Sequence, residues 1–265
     1  MNYKLLAIDI DDTLVEHAGR VSKANRDAIS EASSSGIYVC LATGRGYRGS
    51  AQIRKQLRLE NLIINYGGAL IMDPKTDKPF FSTALDDEYI KEILGMAEEL
   101  NVHCHIYQGD KILYEKSCLY ATIYAKKLHL PHSLDPYIRL RHWENVPKVL
   151  IITTTEKAAE LLPIFSKHFE GRVHVSASSP GFIEFNKIGA NKGSALELLA
   201  KHLEIAQSDV AAIGDNTLDF EMIKWAGLGG AVENGNDKVK TIANCVVPPC
   251  SSNGVAFFIH NYILK

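Results

Sequence analysis

Four apolar residues, Leu5-Leu6-Ala7-Ile8, run without a break into Asp9-Ile10-Asp11-Asp12-Thr13. Within the strand expected at Lys4–Ile10, the stretch Leu5–Ile8 is apolar at successive positions rather than alternate ones. That is the pattern of a strand covered on both faces, as in a parallel sheet between helices. Such a strand rarely ends in several carboxylates, because their charges repel one another where water is scarce. The arrangement is tolerable where a cation sits among them. The opening residues therefore predict both a fold class and a place for chemistry.

The next elements follow the same plan. Ser22 offers a helix N-cap, Ala28, Ile29 and Ala32 form an apolar stripe, and Gly36 stops the helix. Ile37–Ala42 reads as a second strand, a helix passes through Gln52, Ile53 and Leu57, and Leu62–Asn65 reads as a third strand. From about Ser82 the pattern changes. A helix is expected near Asp86–Leu100, then strands Val102–Tyr107 and Lys111–Tyr114, a helix Cys118–Leu128, a strand Lys148–Thr154, a helix Glu156–Phe169, and strands Arg172–Ser176 and Phe182–Asn186. Consecutive strands with no helix between them predict an antiparallel α+β unit. The βα alternation then returns, with a helix Asn191–His202, a strand Val210–Ile213, a helix Leu218–Ala226, a strand Leu228–Val232, a helix near Lys238–Ala243, a strand Cys245–Val247 and a terminal helix. The simplest layout is an α/β, Rossmann-like parallel-sheet core made of residues 1–81 and 187–265. An α+β domain is inserted at residues 82–186.

Bulk properties narrow the function. At 265 residues and 46% hydrophobic, the chain can bury a large core. A net charge of −2 offers no basic footprint for nucleic acid. No apolar run approaches membrane-spanning length, and Met1-Asn2-Tyr3-Lys4 lacks a signal-peptide layout. Cys40, Cys104, Cys118, Cys245 and Cys250 are scattered and odd in number, which reads as a reduced, cytoplasmic chain. The partner expected is a small molecule: neither nucleic acid, membrane nor an obligate protein partner is indicated.

The polar residues collect where this layout puts strand C-termini. Asp9 and Asp11 follow the first strand, Thr43-Gly44-Arg45 the second, and Asp215-Asn216 the strand at Val210–Ile213, while Lys192 opens a helix. Ligands of such sheets bind beyond the carboxyl ends of the strands. The set suits phosphoryl transfer to water. One carboxylate attacks phosphorus, and a neighbouring carboxyl protonates the leaving oxygen and later activates water. Mg²⁺ offsets the repulsion between nucleophile and phosphate. A hydroxyl, a lysine and backbone N–H groups hold the equatorial oxygens.

These motifs, in this order, resemble the haloacid dehalogenase superfamily of phosphatases, specifically its Cof-type subfamily with a class IIB cap. Asp9-Ile10-Asp11-Asp12-Thr13 resembles the first motif, Ala42-Thr43-Gly44-Arg45 the second, Asn191-Lys192-Gly193 the third and Gly214-Asp215-Asn216…Asp219 the fourth. Asn65-Tyr66-Gly67-Gly68-Ala69 and Ala226-Gly227-Leu228-Gly229-Gly230-Ala231-Val232 resemble two further family segments. The resemblance implies that Asp9 is the nucleophile and a Mg²⁺ ligand. It makes Asp11 the general acid/base, with its carbonyl on the metal. Thr43, Gly44, Lys192 and Asn216 would lie on the phosphate or substrate side, and Arg45 either reaches substrate or the cap or pairs with a surface acid. Asp215 and Asp219 would complete the metal set. Two positions depart from the family: Asp12 stands where Gly is usual, and Leu218 stands where Asn often precedes the second acid of the fourth motif. The expected substrate is a small phosphorylated metabolite, a sugar phosphate or phosphorylated cofactor. A phosphomutase-like transferase shares this chemistry, and Leu218 leaves open a metabolite-binding regulatory protein on a decayed scaffold.

Three weaker patterns remain. His103-Cys104-His105 puts two imidazoles on one strand face, which suits one metal ion, a polar sheet face or a contact to substrate. Arg139-Leu140-Arg141-His142-Trp143 reads as a solvated basic loop. Asn65 either lines the site or satisfies a strand end.

Overall fold

A computed structural model describes residues 3–16, 19–177 and 179–265. Met1 and Asn2, part of the N-terminal reading, lie outside the described residues. In chain order the first elements are β1 (Leu5–Ile8), α1 (Lys23–Ser34), β2 (Tyr38–Leu41), α2 (Tyr47–Leu57), β3 (Ile63–Asn65), β4 (Leu70–Asp73) and β5 (Lys78–Ser82). Next come α3 (Asp87–Glu99), β6 (His103–Gln108), β7 (Lys111–Tyr114), α4 (Leu119–Lys127), β8 (His132–Leu134), β9 (Val149–Ile152), α5 (Thr155–His168), β10 (Val173–Ser176) and β11 (Phe182–Lys187). The last are α6 (Lys192–His202), β12 (Val210–Gly214), α7 (Phe220–Trp225), β13 (Leu228–Val232), α8 (Asp237–Ile242), β14 (Cys245–Val247) and α9 (Gly254–Phe258).

The chain divides into two compact units. One holds the residues up to Arg45, Ser50–Phe81 and Asn191–Lys265; the other holds Gly46–Gly49 and Ser82–Ala190. In the first, a five-stranded parallel sheet has the order β14-β13-β12-β1-β2. β1 is buried at all four positions, as its unbroken apolar run requires. On one face Leu5, Ala7, Cys40, Val210 and Ala212 pack under Leu196 and Leu199 of α6 and Met222 of α7. α1 begins where Ser22 accepts the Asn25 N–H at 3.1 Å, and buries Ala28, Ile29 and Ala32.

In the second unit a six-stranded sheet runs β10-β11-β9-β6-β7-β8, antiparallel except for the parallel pair β7–β8. One face of it packs against α3 and α5 through Ile106, Val149, Ile151, Ile183 and Phe185, with Ile90, Ile93, Leu94 and Phe165 opposite.

Four elements differ from the sequence expectation. β4 pairs antiparallel with β3, and β5 lies beyond it in a small sheet of order β3-β4-β5. Four of the five β5 residues are exposed, so no apolar alternation announces the strand. β8 is a three-residue edge strand, too short to carry a pattern. The helix expected from Leu218 begins as a 3₁₀ turn, Thr217–Asp219, before α7 proper, because the Asn216 side chain accepts the Leu218 N–H at 2.8 Å and tightens the start.

Candidate active site

The sheet register brings the polar residues to one edge. Ile8 is level with Leu41 of β2 on one side and with Ile213 of β12 on the other. The residues that follow, Asp9, Thr43 and Asp215, therefore leave the sheet side by side. From β1 the chain crosses to β2 on one flank and returns later as β12 on the other, so Asp9 stands at the topological switch point. The Asp9 N–H still donates to the Ile213 carbonyl at 3.0 Å, which fixes where its side chain starts.

Lys192 arrives from α6. Asn191 caps that helix: its side chain accepts the Ser194 N–H at 2.8 Å, and the Ser194 hydroxyl accepts the Asn191 N–H at 3.2 Å. Gly68, at φ +106°, backs onto this turn so closely that a Cβ there would lie 2.1 Å from the Asn191 carbonyl oxygen. Lys192 is fully buried and donates to Asp9 Oδ1 and Asp219 Oδ1, each at 2.6 Å. A cation at a helix N-terminus opposes the helix dipole, and these two carboxylates outweigh that opposition. The other Asp219 oxygen accepts the N–H groups of Asp215 and Asn216, both at 3.1 Å. Gly214 makes room for it, since a Cβ there would sit 2.4 Å from Asp219 Cγ. Asp215 Oδ1 accepts the Thr13 hydroxyl at 2.8 Å.

Asp9, Asp215 and Asp219 each offer an oxygen within 4.8 Å of the others, and all three are buried. Burial, then the charge of Asp219, pushes Asp9 up to about 7 against the lowering effect of Lys192. Asp215 is pushed up to about 9, by burial and then by Asp9 and Asp219. Burial alone would lower the Lys192 ammonium, but Asp219 and Asp9 hold it above its ordinary range. Three carboxylates thus face one ammonium. Asp9 Oδ2 is buried without a hydrogen-bond partner. An all-oxygen donor set, a free buried oxygen and two carboxylates that resist ionisation without a further positive charge fit a hard divalent cation.

Asp11 stands apart from that triad. Arg45 grips it with both ends of the guanidinium, Nε to Oδ2 at 2.8 Å and Nη2 to Oδ1 at 2.5 Å. Arg45 is buried while Asp11 is 42% exposed, so the arginine holds the carboxylate from behind and leaves one side to solvent. Thr43 is buried, and its hydroxyl accepts the Arg45 N–H at 3.1 Å across Gly44. Asn65 braces this loop, its amide donating to the Arg45 carbonyl and to Ser50, each at 3.2 Å. The Gly67 N–H donates to the Thr43 carbonyl at 3.0 Å. Asn216 contributes its side chain to the turn rather than to open space. Leu218 is buried, so the position it takes from the family's Asn is apolar here.

Asp12 has φ +59°, the left-handed region that Gly occupies freely and Asp tolerates. That accounts for Gly or Asp at this place and little else. The two imidazoles of His103-Cys104-His105 face the same side but bond each other, His103 Nε2 to His105 Nδ1 at 3.0 Å. Neither belongs to a group of three metal-binding side chains among the described residues. The basic pentamer is paired: Arg139 with Glu98 and Glu115, Arg141 with Asp135, and Trp143 is buried with its indole N–H on the Ile138 carbonyl. Thr13, Asn191 and Gly214 each lie inside a motif quoted from the sequence, which gave them no role of their own.

A family model described as haloacid dehalogenase-like hydrolase matches residues 6–259. The chain is 30% identical over 261 residues to the 5-amino-6-(5-phospho-D-ribitylamino)uracil phosphatase YitU of Bacillus subtilis (strain 168), covering 97% of each. It is 24% identical over 269 residues to an HMP-PP phosphatase of Yersinia pseudotuberculosis serotype O:1b (strain IP 31758), covering 98% of this chain and 96% of that one. A crystal structure of a haloacid dehalogenase-like hydrolase from Bacteroides thetaiotaomicron superposes with a TM-score of 0.86 at 26% identity, over 98% of this chain and 99% of that one.

Proposed function

The chain belongs to the haloacid dehalogenase-like hydrolases and is a phosphatase, and from that premise we propose that it hydrolyses the phosphate monoester of a small metabolite through an aspartyl-phosphate on Asp9. The observation that carries this reading is the buried triad of Asp9, Asp215 and Asp219 with one lysine among them and one Asp9 oxygen left over.

Asp9 attacks phosphorus, and the bond from phosphorus to the leaving oxygen breaks as Asp11 delivers a proton to that oxygen. Water then attacks the aspartyl-phosphate while Asp11 takes its proton, which regenerates Asp9 and frees inorganic phosphate. Arg45 is a positioning residue for Asp11 in this scheme, a role its paired geometry favours over direct phosphate contact. The Thr43 hydroxyl and the Gly44 N–H hold phosphate oxygens, and Asn216 shapes the turn beside them. Lys192 favours the ionised form of Asp9 and aims its carboxylate. Mg²⁺ would be held by Asp9, Asp215 and the Asp11 carbonyl, with Asp219 behind, and when bound would supply the positive charge that lets two anions meet.

The relatives' names concern small phosphorylated compounds, which supports a metabolite as substrate. The inserted unit is the natural source of specificity, since Asp9, Thr43, Gly44 and Lys192 act on the phosphate group alone. The test is phosphate release from a panel of phosphorylated sugars and cofactors, with and without a chelator. Turnover should vanish with EDTA, return with Mg²⁺, and fall about a thousandfold or more in Asp9→Asn. Near-normal rates in that variant would overturn the nucleophile.

A further inference from the structure

The turn that carries Asp11 is tied both within itself and outward. Within it, the Asp12 N–H donates to the Val15 carbonyl at 2.9 Å, and the Leu14 and Val15 N–H groups both donate to the Ile10 carbonyl at 3.0 Å. Outward, the Thr13 hydroxyl bonds Asp215 and Arg45 grips the Asp11 carboxylate. A further tie comes from a residue 222 positions away: the Asn234 amide donates to the Asp12 carbonyl at 2.8 Å.

Asn234 lies two residues beyond the end of β13, and β12 stands between β13 and β1 in the sheet. Its side chain therefore reaches past the end of β12, which Asp215 follows, to the turn after β1. The Cys250 N–H donates to Asn234 Oδ1 at 2.8 Å. A backbone N–H only donates and a carbonyl only accepts, so these two partners settle which way the amide faces. The residues after Asn234 hold the neighbouring turn. The Asn236 N–H donates to the Asp215 carbonyl at 2.7 Å, and a Cβ on Gly235 would lie 2.8 Å from that same oxygen. One short loop thus bonds the turn that carries Asp11 and the turn that carries Asp215.

The tie bears most on Asp11. Asp9 is held by its own N–H on Ile213 and by Lys192 on its carboxylate. Asp11 comes two residues later, is bridged to Val15 of its own turn, and is 42% exposed at the side chain. Asp12, next to it, sits at φ +59°, a conformation that persists in a residue other than glycine where its surroundings over-determine it. We infer that Asn234 is a positioning residue for Asp11: by holding the Asp12 carbonyl it sets where the acid/base carboxylate stands relative to Asp9. What that placement achieves rests on the phosphatase reading above; the tie itself does not. A positioned general acid is worth about a hundredfold or more, and a shift of about 1 Å can forfeit most of that. The loss falls unevenly over substrates. D-glucose 6-phosphate releases an alkoxide oxygen that needs a proton, whereas p-nitrophenyl phosphate releases a phenolate that leaves without one.

The test uses the full chain. Asn234→Ala should lower kcat/KM for glucose 6-phosphate at least about tenfold, and that for p-nitrophenyl phosphate less than about threefold. Asn234→Asp keeps the shape of the side chain and the bond from Cys250, but turns the donor into an oxygen that repels the Asp12 carbonyl. It should show the same uneven loss, and its added charge meets the phosphate of both esters alike. Equal losses for the two esters, or no loss, overturn the inference. Amide hydrogen exchange, measured without substrate, reads the tie directly. In Asn234→Ala the Asp12 and Val15 amides should exchange at least about fivefold faster, while Ala211–Ile213 of β12 keep their protection. Unchanged exchange at Asp12 and Val15 overturns the tie whatever the reaction is. Should Asn234→Ala not fold, Asn234→Asp carries both arms. A wild-type protein that hydrolyses neither ester removes the phosphatase reading, and the exchange rates then decide alone.

Discussion

Lys192 is the residue on which the acidic cluster turns. Among the described residues it is the one cation bonded to Asp9 and Asp219, and all three are buried. Removing one partner of a buried charge pair leaves the other uncompensated, which costs about 3 kcal/mol or more. Lys192→Met should therefore lower stability by about that amount in urea unfolding with a chelator present. Asp219→Asn in the same chain should restore part of the loss, because it removes one of the stranded charges. A coupling below about 0.5 kcal/mol in that double-mutant cycle would mean the contacts are geometric only. Arg45 shows how a residue can be placed by the sequence while its role stays open. Its place after β2 was legible, but whether it faced substrate or a carboxylate depended on Asp11, thirty-four positions away. Leu218 is the opposite case: the sequence shows the missing amide, and the structure shows an apolar side chain buried where it would have been.

At the scale of elements, α6 and the turn at Gly68 are set against each other. Gly68→Ala would add a Cβ in the left-handed region and 2.1 Å from the Asn191 oxygen. The clash and the strained backbone together should cost about 3 kcal/mol. Asn191→Ala, which only removes the cap, should cost about 1 kcal/mol. Both are read from chemical denaturation, and equal costs would show that the close approach relaxes freely. The β6 imidazoles give a second prediction. Burial holds His103 down at about 4 and His105 well below its ordinary value. Between roughly 6.5 and 4 the unfolded chain takes up protons that the folded sheet refuses. Their contribution is therefore complete above about pH 6.5 and is lost as pH falls toward 4, by up to ~1.4 kcal/mol per pH unit for each ring. The groups facing the pair are Tyr107, Tyr114, Tyr124, Lys148 and Glu184. The second unit contains buried Trp143, whose fluorescence reports its unfolding. His105→Phe should flatten the acid limb of that stability profile, and an unaltered limb would assign it to other groups.

At the scale of the whole molecule, the parallel sheet was legible because it is built from runs apolar at every position, such as Leu5–Ile8 and Val210–Ile213. Such runs need helices on both faces, and they fix which residues follow at the same edge. β5 and β8 were not legible, because an exposed or three-residue edge strand buries too little to leave a pattern. The unsatisfied Glu184 oxygen was beyond the sequence for another reason. It depends on strands distant in the chain lying side by side. The acidic triad has a consequence for the stability of the first unit that the fold alone does not have. Its charges favour the folded state only when a cation balances them, and the unfolded chain has no such site. Mg²⁺ should then stabilise that unit by mass action, by ~2.7 kcal/mol at a hundred times its Kd. Trp225 lies in the first unit, at the end of α7, and its fluorescence follows the unfolding. Thermal unfolding followed there should move up with Mg²⁺ and back with EDTA. The shift should shrink strongly in Asp215→Asn, which keeps the shape of the site and removes one of its charges. A shift of equal size in that variant would place the ion elsewhere, and no shift in the wild type would mean that Lys192 alone balances the cluster.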